Sequence, residues 1–321
     1  MSHLLTISDL TIAFTGDTGT HEVTDHLSLT LDEGEVVCLV GESGCGKSVT
    51  SMSLLGLLGP GGSVKEGSIY YEDRDLFTLS EKELDQIRGK EISMIFQDPM
   101  SSLNPVFTIG YQIMEGLRIH LGLKKREAWV RAVELLARVG MKEPELVMKS
   151  YPHTLSGGMR QRAIIAMALA CNPKLLIADE PTTALDVTIQ AQILDLLHEL
   201  KDEFHTSIML ITHDMGVVAT VCSKVIIMYG GLVMESGTVE EVFYEPKHPY
   251  TKALLKAIPS LDLKEGERLQ SIPGLPPSLI DSPKGCPFAE RCEYATDRCR
   301  NEKPEYTEFT ETHRAMCFLN E

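Results

Sequence analysis

The segment GESGCGKS at residues 41–48 constrains this chain more than any other, because it matches the phosphate-loop pattern G-x-x-x-x-G-K-[S/T]. An apolar run at residues 35–40 precedes it and predicts a buried strand, and residues 49–58 predict a helix. Glycines let such a loop turn its N–H groups towards an anion at the positive end of the following helix. The alternative is a glycine-rich turn that carries a lysine, but a chance match in a chain this long has a probability of about one per cent. The sequence therefore predicts a nucleotide-binding loop.

Particular side chains of this loop have predicted roles. Lys47 would reach the β- and γ-phosphates of a nucleotide, and the Ser48 hydroxyl would be a ligand of Mg²⁺. Cys45 stands at a variable position of the pattern, and we expect thiol reagents to reach it unless a nucleotide covers it. The predicted binding residues of the loop are Gly41, Ser43, Gly44, Cys45, Gly46, Lys47, Ser48 and Val49.

Composition limits the class of protein. The 321 residues are 43% hydrophobic, which suffices for one large domain or two. The formal net charge of −16 argues against non-specific binding of nucleic acid. No run of 18 apolar residues occurs, and the N-terminus lacks the basic and apolar regions of a signal peptide, so we expect neither a membrane span nor export. Eight cysteines in such a chain predict reduced thiols or cofactor ligands.

The pattern of apolar residues predicts an α/β fold. Alternating segments near the N-terminus predict a small antiparallel sheet, and the buried strands that follow alternate with helices, which is typical of a parallel, doubly wound sheet. A helical block is predicted at about 98–165. The antiparallel strands are predicted at 4–14, 27–31 and 67–71, the buried strands at 92–96, 175–178 and 208–211, and a hairpin at 223–234. More than half of the 16 prolines follow residue 245, which predicts a separate region at 246–321.

Two carboxylates follow a predicted buried strand, LLIA at residues 175–178. Adjacent acids at this place are often solvated residues that open a turn. In a chain with a phosphate loop, however, Asp179 is a candidate to hold the Mg²⁺ shell, and Glu180 is a candidate to polarise a water molecule against the γ-phosphate. Such hydrolysis needs a positioned water, a metal ion and stabilisation of charge.

A second glycine-rich helix start lies at residues 155–162, with the sequence LSGGMRQR. By itself this segment is a serine N-cap followed by a helix. Because the chain already has one helix terminus for phosphate, the segment also predicts a second anion-binding edge.

The order of these motifs resembles that of the ATP-binding cassette (ABC) ATPases over residues 4–245. The segments that carry the resemblance are GESGCGKS at 41–48, Gln97, LSGG at 155–158, LLIADE at 175–180, ALD at 184–186 and His213. The resemblance implies a nucleotide-binding domain at 1–245 that hydrolyses ATP with Mg²⁺. It also implies that two such cassettes pack head to tail, each completing the other's site.

The same resemblance implies roles for individual residues. Gln97 would sense Mg²⁺ as a ligand and couple to a membrane partner, and Glu180 would be the general base. His213 would contact the γ-phosphate, and Asp186 would link the two sites. Phe14 is a candidate for stacking on adenine, although an ordinary core aromatic fits its position nearly as well. The residues that would contact the γ-phosphate across the dimer are Ser156, Gly157 and Gly158.

Other segments resemble the D-type ATPase subunits of dipeptide and oligopeptide importers, in the peptide and nickel branch of the family. They are QDPMSSLNP at 97–105, HPYTKALL at 248–255, IPG at 272–274 and GCPFA at 285–289. The resemblance implies an ATPase that powers peptide import from the cytoplasmic face of the inner membrane. Its partners would be a second, different ATPase subunit, two permease subunits and an extracytoplasmic solute-binding protein. Nickel chelates or haem as solute, and a non-transport ABC ATPase acting on nucleic acid or the ribosome, are the alternatives.

Four cysteines lie in the proline-rich tail, namely Cys286, Cys292, Cys299 and Cys317. Their spacing lacks the C-x-x-C pattern of structural zinc, so four unrelated thiols or two disulfides are possible. Yet the tail has little apolar periodicity with which to build a core, and a metal centre would supply cross-links. Four thiolates suit a [4Fe–4S] cluster or Zn²⁺, and the family resemblance favours the cluster.

Overall fold

The structure is a computed structural model that describes residues 3–17, 19–98, 102–183, 185–258, 272–278 and 283–321. Residues 99–101 of the QDPMSSLNP segment, Ala184 of the ALD motif, the first two residues and tail positions 259–271 and 279–282 lie outside the described residues. Contacts within the chain group its residues into two units. Unit 1 comprises Met1–Phe77 and Ile211–Glu321, and unit 2 comprises Thr78–Leu210.

Unit 1 begins with the antiparallel sheet that the alternating segments predicted. Its described strands are β1 (Leu5–Gly16), β2 (Gly19–Leu31), β4 (Gly62–Tyr71) and β5 (Arg74–Asp75), in the order β2-β1-β4-β5. β1 pairs with β2 from Leu5 opposite Leu31 to Gly16 opposite Gly19, with bulges between. The apolar side chains of β1 are buried, and this burial fixes the register of the strand.

A second group of strands in unit 1 supports the phosphate loop. β3 (Val36–Val40) is buried at every residue, as a strand in a parallel sheet requires, and it pairs in parallel with β9 (Lys224–Tyr229). The predicted hairpin is confirmed, since β9 turns at Gly230 and Gly231 into β10 (Leu232–Thr238). The tail then adds two strands that the sequence did not predict. β12 (Arg314–Met316) pairs with β10, and β11 (Tyr306–Glu308) pairs with β12.

Unit 2 contains parallel strands and most of the longer helices. β6 (Ile92–Ile95) and β7 (Leu175–Asp179) pair in parallel, and β8 (Ser207–Thr212), which reaches the boundary between the units, lies next to β7. The helices of this unit whose bounds the structure describes are α2 (Glu81–Ile87), α3 (Ile109–Leu121), α4 (Lys125–Arg138), α5 (Pro144–Val147), α6 (Gly157–Ala168) and α7 (Val187–Phe204). The helical block predicted at 98–165 falls within unit 2, and its limits remain a prediction.

The apolar stripe of helix α4 is buried, as its spacing predicted. Its members are Ala128, Ala132, Leu135 and Leu136 on the helix and Val139 at its end. The helix ends one residue before Val139, and Gly140 follows with a φ of 78°, a left-handed conformation that glycine adopts without strain.

The helices in the described ranges of unit 1 are short. They are α1 (Lys47–Leu54), α8 (Met215–Val221), α9 (Val239–Tyr244), α10 (Pro249–Lys256) and α11 (Asp297–Asn301). Helix α1 begins inside the phosphate loop and ends earlier than the predicted 49–58, since Gly56 follows with a positive φ. None of the helices in the described ranges has both the length and the apolar character that crossing a bilayer requires.

A buried carboxylate connects the tail to β10. Glu235 has no solvent exposure, and its carboxylate accepts hydrogen bonds from the backbone N–H groups of Lys247 and His248, each at 2.8 Å. Nε2 of the buried His313, just before β12, donates to the same carboxylate at 2.8 Å. Glu235 therefore satisfies three buried donors from the segment before α10 and from the C-terminal strands.

Replacing Glu235 by alanine should lower the free energy of unfolding by about 3 kcal/mol, because it leaves buried N–H donors unsatisfied. Chemical denaturation measures this loss, and hydrogen exchange should show faster exchange at the Lys247 and His248 amides. The exposed Glu305 provides the matched control Glu305→Ala. A loss no larger than that of the control would mean that the carboxylate does not hold the tail.

Candidate functional site

The phosphate loop lies between β3 and α1 in unit 1, and close approach of the backbone requires its glycines. A β-carbon at Gly41 would lie 2.1 Å from the carbonyl oxygen of Met228 on β9. At Gly46 the φ is 102°, and a β-carbon would lie 2.9 Å from the carbonyl oxygen of Val23. Both positions therefore exclude any other residue without movement of the backbone.

Lys47 is folded into this loop. Its side chain is only 6% exposed, and Nζ donates to the carbonyl oxygens of Gly41 at 2.7 Å and of Glu42 at 3.0 Å. The ammonium group is thus already inside the curve of the loop, where a phosphate oxygen can take over from a carbonyl acceptor. Burial raises the pKa of the Cys45 thiol, while the nearby Lys47 partly offsets this rise. Cys45 is buried, so the expectation that thiol reagents reach it is wrong for this conformation.

The N-terminus of α1 is available to an anion. Gly46 is its N-cap, and within the described residues no side chain caps the helix there. The first N–H groups of a helix have no intrahelical acceptor and carry partial positive charge. Ser48 and Val49 lie half-buried in this first turn, and Ser43 and Gly44 lie exposed on the loop before it.

Glu180 is the centre of a polar cluster in unit 2. Its carboxylate accepts a hydrogen bond from Gln97 Nε2 at 3.1 Å and from the Thr183 hydroxyl at 2.8 Å. The backbone of Glu180 is left-handed, with a φ of 46°, which costs a non-glycine residue about 1–2 kcal/mol. Asp179, the last residue of β7, is 1% exposed. The sequence placed Gln97 and Glu180 in one site, and the structure brings them into contact. Nothing in the sequence indicated that Thr183 contacts Glu180.

The LSGG segment forms the start of helix α6. The Ser156 hydroxyl oxygen caps this helix by accepting from the Met159 N–H at 3.3 Å, so the N-cap interpretation is confirmed for this chain. Gly157 is exposed and Gly158 is half-buried. A β-carbon at Gly158 would lie 2.9 Å from Cγ2 of Ile189 on α7, so glycine allows these two helices to pack closely.

Three further residues that the sequence predicted for the ATP site lie on other elements of the chain. Asp186 is exposed and caps α7, since its carboxylate accepts from the Ile189 N–H at 3.1 Å. His213 is exposed, directly after β8. Phe14 is half-buried on β1, opposite His21 and Gly62.

The four tail cysteines line one small cavity of about 20 Å³ in unit 1. All are free thiols, so the disulfide alternative is wrong. The Cys286 N–H donates to the Cys299 carbonyl oxygen at 2.8 Å, and burial raises the pKa of the Cys286 thiol to about 12, with small additions from the other three cysteines. In the described part of the chain, however, no group of three or more His, Cys, Asp or Glu side chains is placed to hold a metal ion.

A buried histidine borders the same cavity. Burial lowers the pKa of His248 to about 3, so its ring is neutral. Nδ1 accepts from the Tyr250 N–H at 3.0 Å, which leaves the proton on Nε2. Among the described residues this buried Nε2–H has no hydrogen-bond partner. Sequence analysis named this histidine only as the first residue of the segment HPYTKALL at 248–255 and predicted no role for it.

Comparison with known proteins identifies the family. Residues 24–183 match the family described as ABC transporter, and residues 234–299 match the oligopeptide/dipeptide transporter C-terminal region. The chain is 51% identical over 320 residues to the oligopeptide transport ATP-binding protein OppD of Haemophilus influenzae, covering 100% of this chain and 98% of that protein. The chain belongs to the ABC ATPases.

Other relatives agree with this assignment. The dipeptide transport ATP-binding protein DppD of Escherichia coli is 48% identical over 314 residues, which is 98% of this chain and 96% of that protein. Among solved structures, a dimeric ATP-binding cassette in a post-hydrolysis state, bound to ADP and Pi, is 28% identical. Its TM-score is 0.66, and the match covers 73% of this chain and 98% of that one. The ABC ATPase fold predicted from the motifs is therefore confirmed.

As an ABC ATPase, this chain should lose nucleotide binding when Gly41 becomes alanine. The added methyl group cannot fit beneath the Met228 carbonyl, so the loop must move, and we expect ATP affinity to fall more than tenfold. Gly59→Ala is the matched control, because a β-carbon there meets no atom within 4 Å. Titration calorimetry with ATP measures both. Equal affinities in the two variants would contradict the steric interpretation of the loop.

Proposed function

We propose that this chain is the ATP-hydrolysing subunit that powers import of dipeptides or oligopeptides through a membrane ABC transporter. The observation that supports hydrolysis best is the Glu180 cluster, a carboxylate held by Gln97 and Thr183 at the end of a buried strand. The peptide as solute is supported by relatives of 48–52% identity that are named oligopeptide or dipeptide transport ATP-binding proteins. No relative reported above favours nickel chelates, haem or a role outside transport.

Each proposed role in hydrolysis follows from the chemistry of the side chain. The loop N–H groups and Lys47 bind the phosphates, and Glu180 accepts the proton of the attacking water and orients it. Gln97 and Thr183 keep the Glu180 carboxylate in one orientation through the hydrogen bonds described above. His213 contacts the γ-phosphate, and Phe14 is the candidate that stacks on adenine.

The residues proposed to hold Mg²⁺ have suitable chemistry. The Ser48 hydroxyl, the Asp179 carboxylate and the Gln97 amide offer oxygen ligands, which Mg²⁺ prefers. When bound, Mg²⁺ neutralises part of the phosphate charge. A buried carboxylate such as Asp179 also gains a positive neighbour in that case, which compensates for its loss of hydration.

The proposed partners follow from exposed parts of the chain. Helix α6 starts with the exposed Ser156 and Gly157 and the half-buried Gly158, and this start suits the γ-phosphate of a second cassette. Asp186 would link the two sites. We propose a different ABC ATPase subunit as that cassette, together with two permease subunits and an extracytoplasmic solute-binding protein. The chain would then lie on the cytoplasmic face of the inner membrane as a peripheral subunit.

Glu180→Gln tests the catalytic assignment. The amide keeps the shape of the side chain but is a poor proton acceptor, so we expect ATP turnover to fall by at least about 100-fold. ATP affinity should change less than threefold, because the phosphate contacts of the loop remain. Turnover and ATP binding are measured on the assembled transporter.

The exposed Glu199 on α7 provides the matched control Glu199→Gln, which should behave as wild type. If Glu180→Gln lost ATP affinity but kept its turnover per bound nucleotide, Glu180 would be a binding residue rather than the general base.

We further propose that the four tail cysteines hold a [4Fe–4S] cluster. Support comes from their shared cavity, from the free state of all four thiols and from the buried His248 Nε2–H beside them, which could donate to a thiolate. Zn²⁺ is the alternative occupant of the four cysteines. The cluster would cross-link a tail that has few regular elements.

Metal analysis of the anaerobically purified complex tests this cofactor. We expect four irons and four sulfides per chain with a broad visible absorbance band, all lost in Cys292→Ser. Cys171→Ser, outside the tail, is the matched control and should retain them. Stoichiometric zinc without iron would replace the cluster by Zn²⁺, and a metal-free wild-type protein would contradict the proposal.

A further inference from the structure

Glu42, the second residue of the phosphate loop, is held by the C-terminal region at two points. Its backbone N–H donates to the hydroxyl of Tyr250 on α10 at 3.1 Å, and its carboxylate accepts from Arg291 Nη1 at 2.7 Å. Its carbonyl oxygen accepts from Lys47 Nζ at 3.0 Å. One loop residue thus connects the phosphate-binding lysine to the tail, across 249 residues of sequence.

Arg291 is itself fixed in place. Its side chain is 7% exposed, and every nitrogen of the guanidinium group donates a hydrogen bond. Besides Glu42, the Nη1 atom contacts the Tyr229 hydroxyl at 3.0 Å. Nε donates to the Pro273 carbonyl at 2.8 Å, and Nη2 donates to the Ile272 carbonyl at 3.2 Å. A planar group with this many partners has one orientation, so it can fix the position of the carboxylate that it binds.

The surroundings of this ion pair are apolar and aromatic. The rings of Tyr229 and Tyr250 lie 4.6 Å apart, and Phe288 packs against both at 5.4 and 5.2 Å. All three residues are buried. Low exposure strengthens the attraction between Arg291 and Glu42 and makes the loss of either partner costly.

Arg291 also lies among the four tail cysteines in the sequence. Arg291 ends the short 3₁₀ turn Ala289–Arg291, and Cys292 follows directly. Cys286 and Cys292, on either side of this turn, both line the cysteine cavity, and Phe288 lines it as well. The segment that carries Arg291 is therefore continuous with the lining of the cysteine cavity.

We propose that Arg291 is a positioning residue for ATP binding, through which the C-terminal region sets the geometry of the phosphate loop. Arg291 holds the Glu42 carboxylate, and the Glu42 carbonyl oxygen accepts from Lys47 Nζ in the curve of the loop. This inference rests on the ATPase function proposed above. Because the loop binds phosphate in the ground state, losing this contact weakens ATP binding more than it slows the chemical step.

A double-mutant cycle in the assembled transporter tests the inference. We expect Arg291→Gln to raise the KM for ATP about tenfold with kcat within twofold of wild type, and Glu42→Gln to do the same. The double variant should be no worse than either single variant, since each removes one charge of the same ion pair. Arg291→Lys keeps the charge but not the planar fork, so it should restore part of the affinity.

The matched control is Arg298→Gln, an exposed arginine of the same tail whose partners are Glu302 and Glu321. It should leave the KM for ATP unchanged. Thermal unfolding without nucleotide separates a general loss of stability from a change at the loop. Glu42→Gln preserves the size of the side chain and removes its charge, so it tests the ion pair even where Arg291→Gln does not fold.

Three outcomes overturn the inference. They are an unchanged KM in the Glu42→Gln variant, additive effects in the double variant, and an equal rise in KM in Arg298→Gln. A wild-type complex that neither binds nor hydrolyses ATP would instead overturn the proposed function, so the two failures are distinguishable.

Discussion

The close approach of the phosphate loop to strand β9 is the constraint on which unit 1 depends. β3 pairs in parallel with β9, so the chain leaving β3 must pass beside the last residues of β9 before it enters α1. The space between Gly41 and the Met228 carbonyl is too small for any side chain at position 41. The same packing brings Tyr229, at the end of β9, next to the residues that hold Glu42. The shape of the loop is therefore set by its neighbours as well as by its own glycines.

Buried polar contacts hold the tail at two places, in addition to the aromatic packing of Tyr250 and Phe288. Glu235 accepts hydrogen bonds from three donors, and Arg291 donates hydrogen bonds to four acceptors. Such buried groups are costly unless every partner is present, so each specifies a single arrangement of the chain. This gives a loop-rich region with few regular elements a defined position against β9 and β10, and hence against the phosphate loop.

Several residues of the functional motifs also have an ordinary structural task. Ser156 and Asp186 each cap the helix that they begin, and Gly158 allows α6 and α7 to pack. A cap leaves the remaining first-turn N–H groups free to face an anion, so the two roles are compatible. For these segments the structural role is observed in the chain, and the functional role stays a prediction that the same helix start permits.

The sequence by itself determined what is local. Continuous apolar runs predicted β3, β7 and β8, the spacing from Ala128 to Val139 predicted a buried helix face, and three motifs predicted the chemistry of the ATPase. Only the tertiary structure decided the burial of Cys45, the contact of Thr183 with Glu180, the common cavity of four irregularly spaced cysteines and the ion pair of Glu42 with Arg291. The physical reason is that strands and helices impose a short period on the residues they bury, whereas a contact between segments hundreds of residues apart imposes none. Its partners are chosen by packing, and packing exists only once the chain has folded.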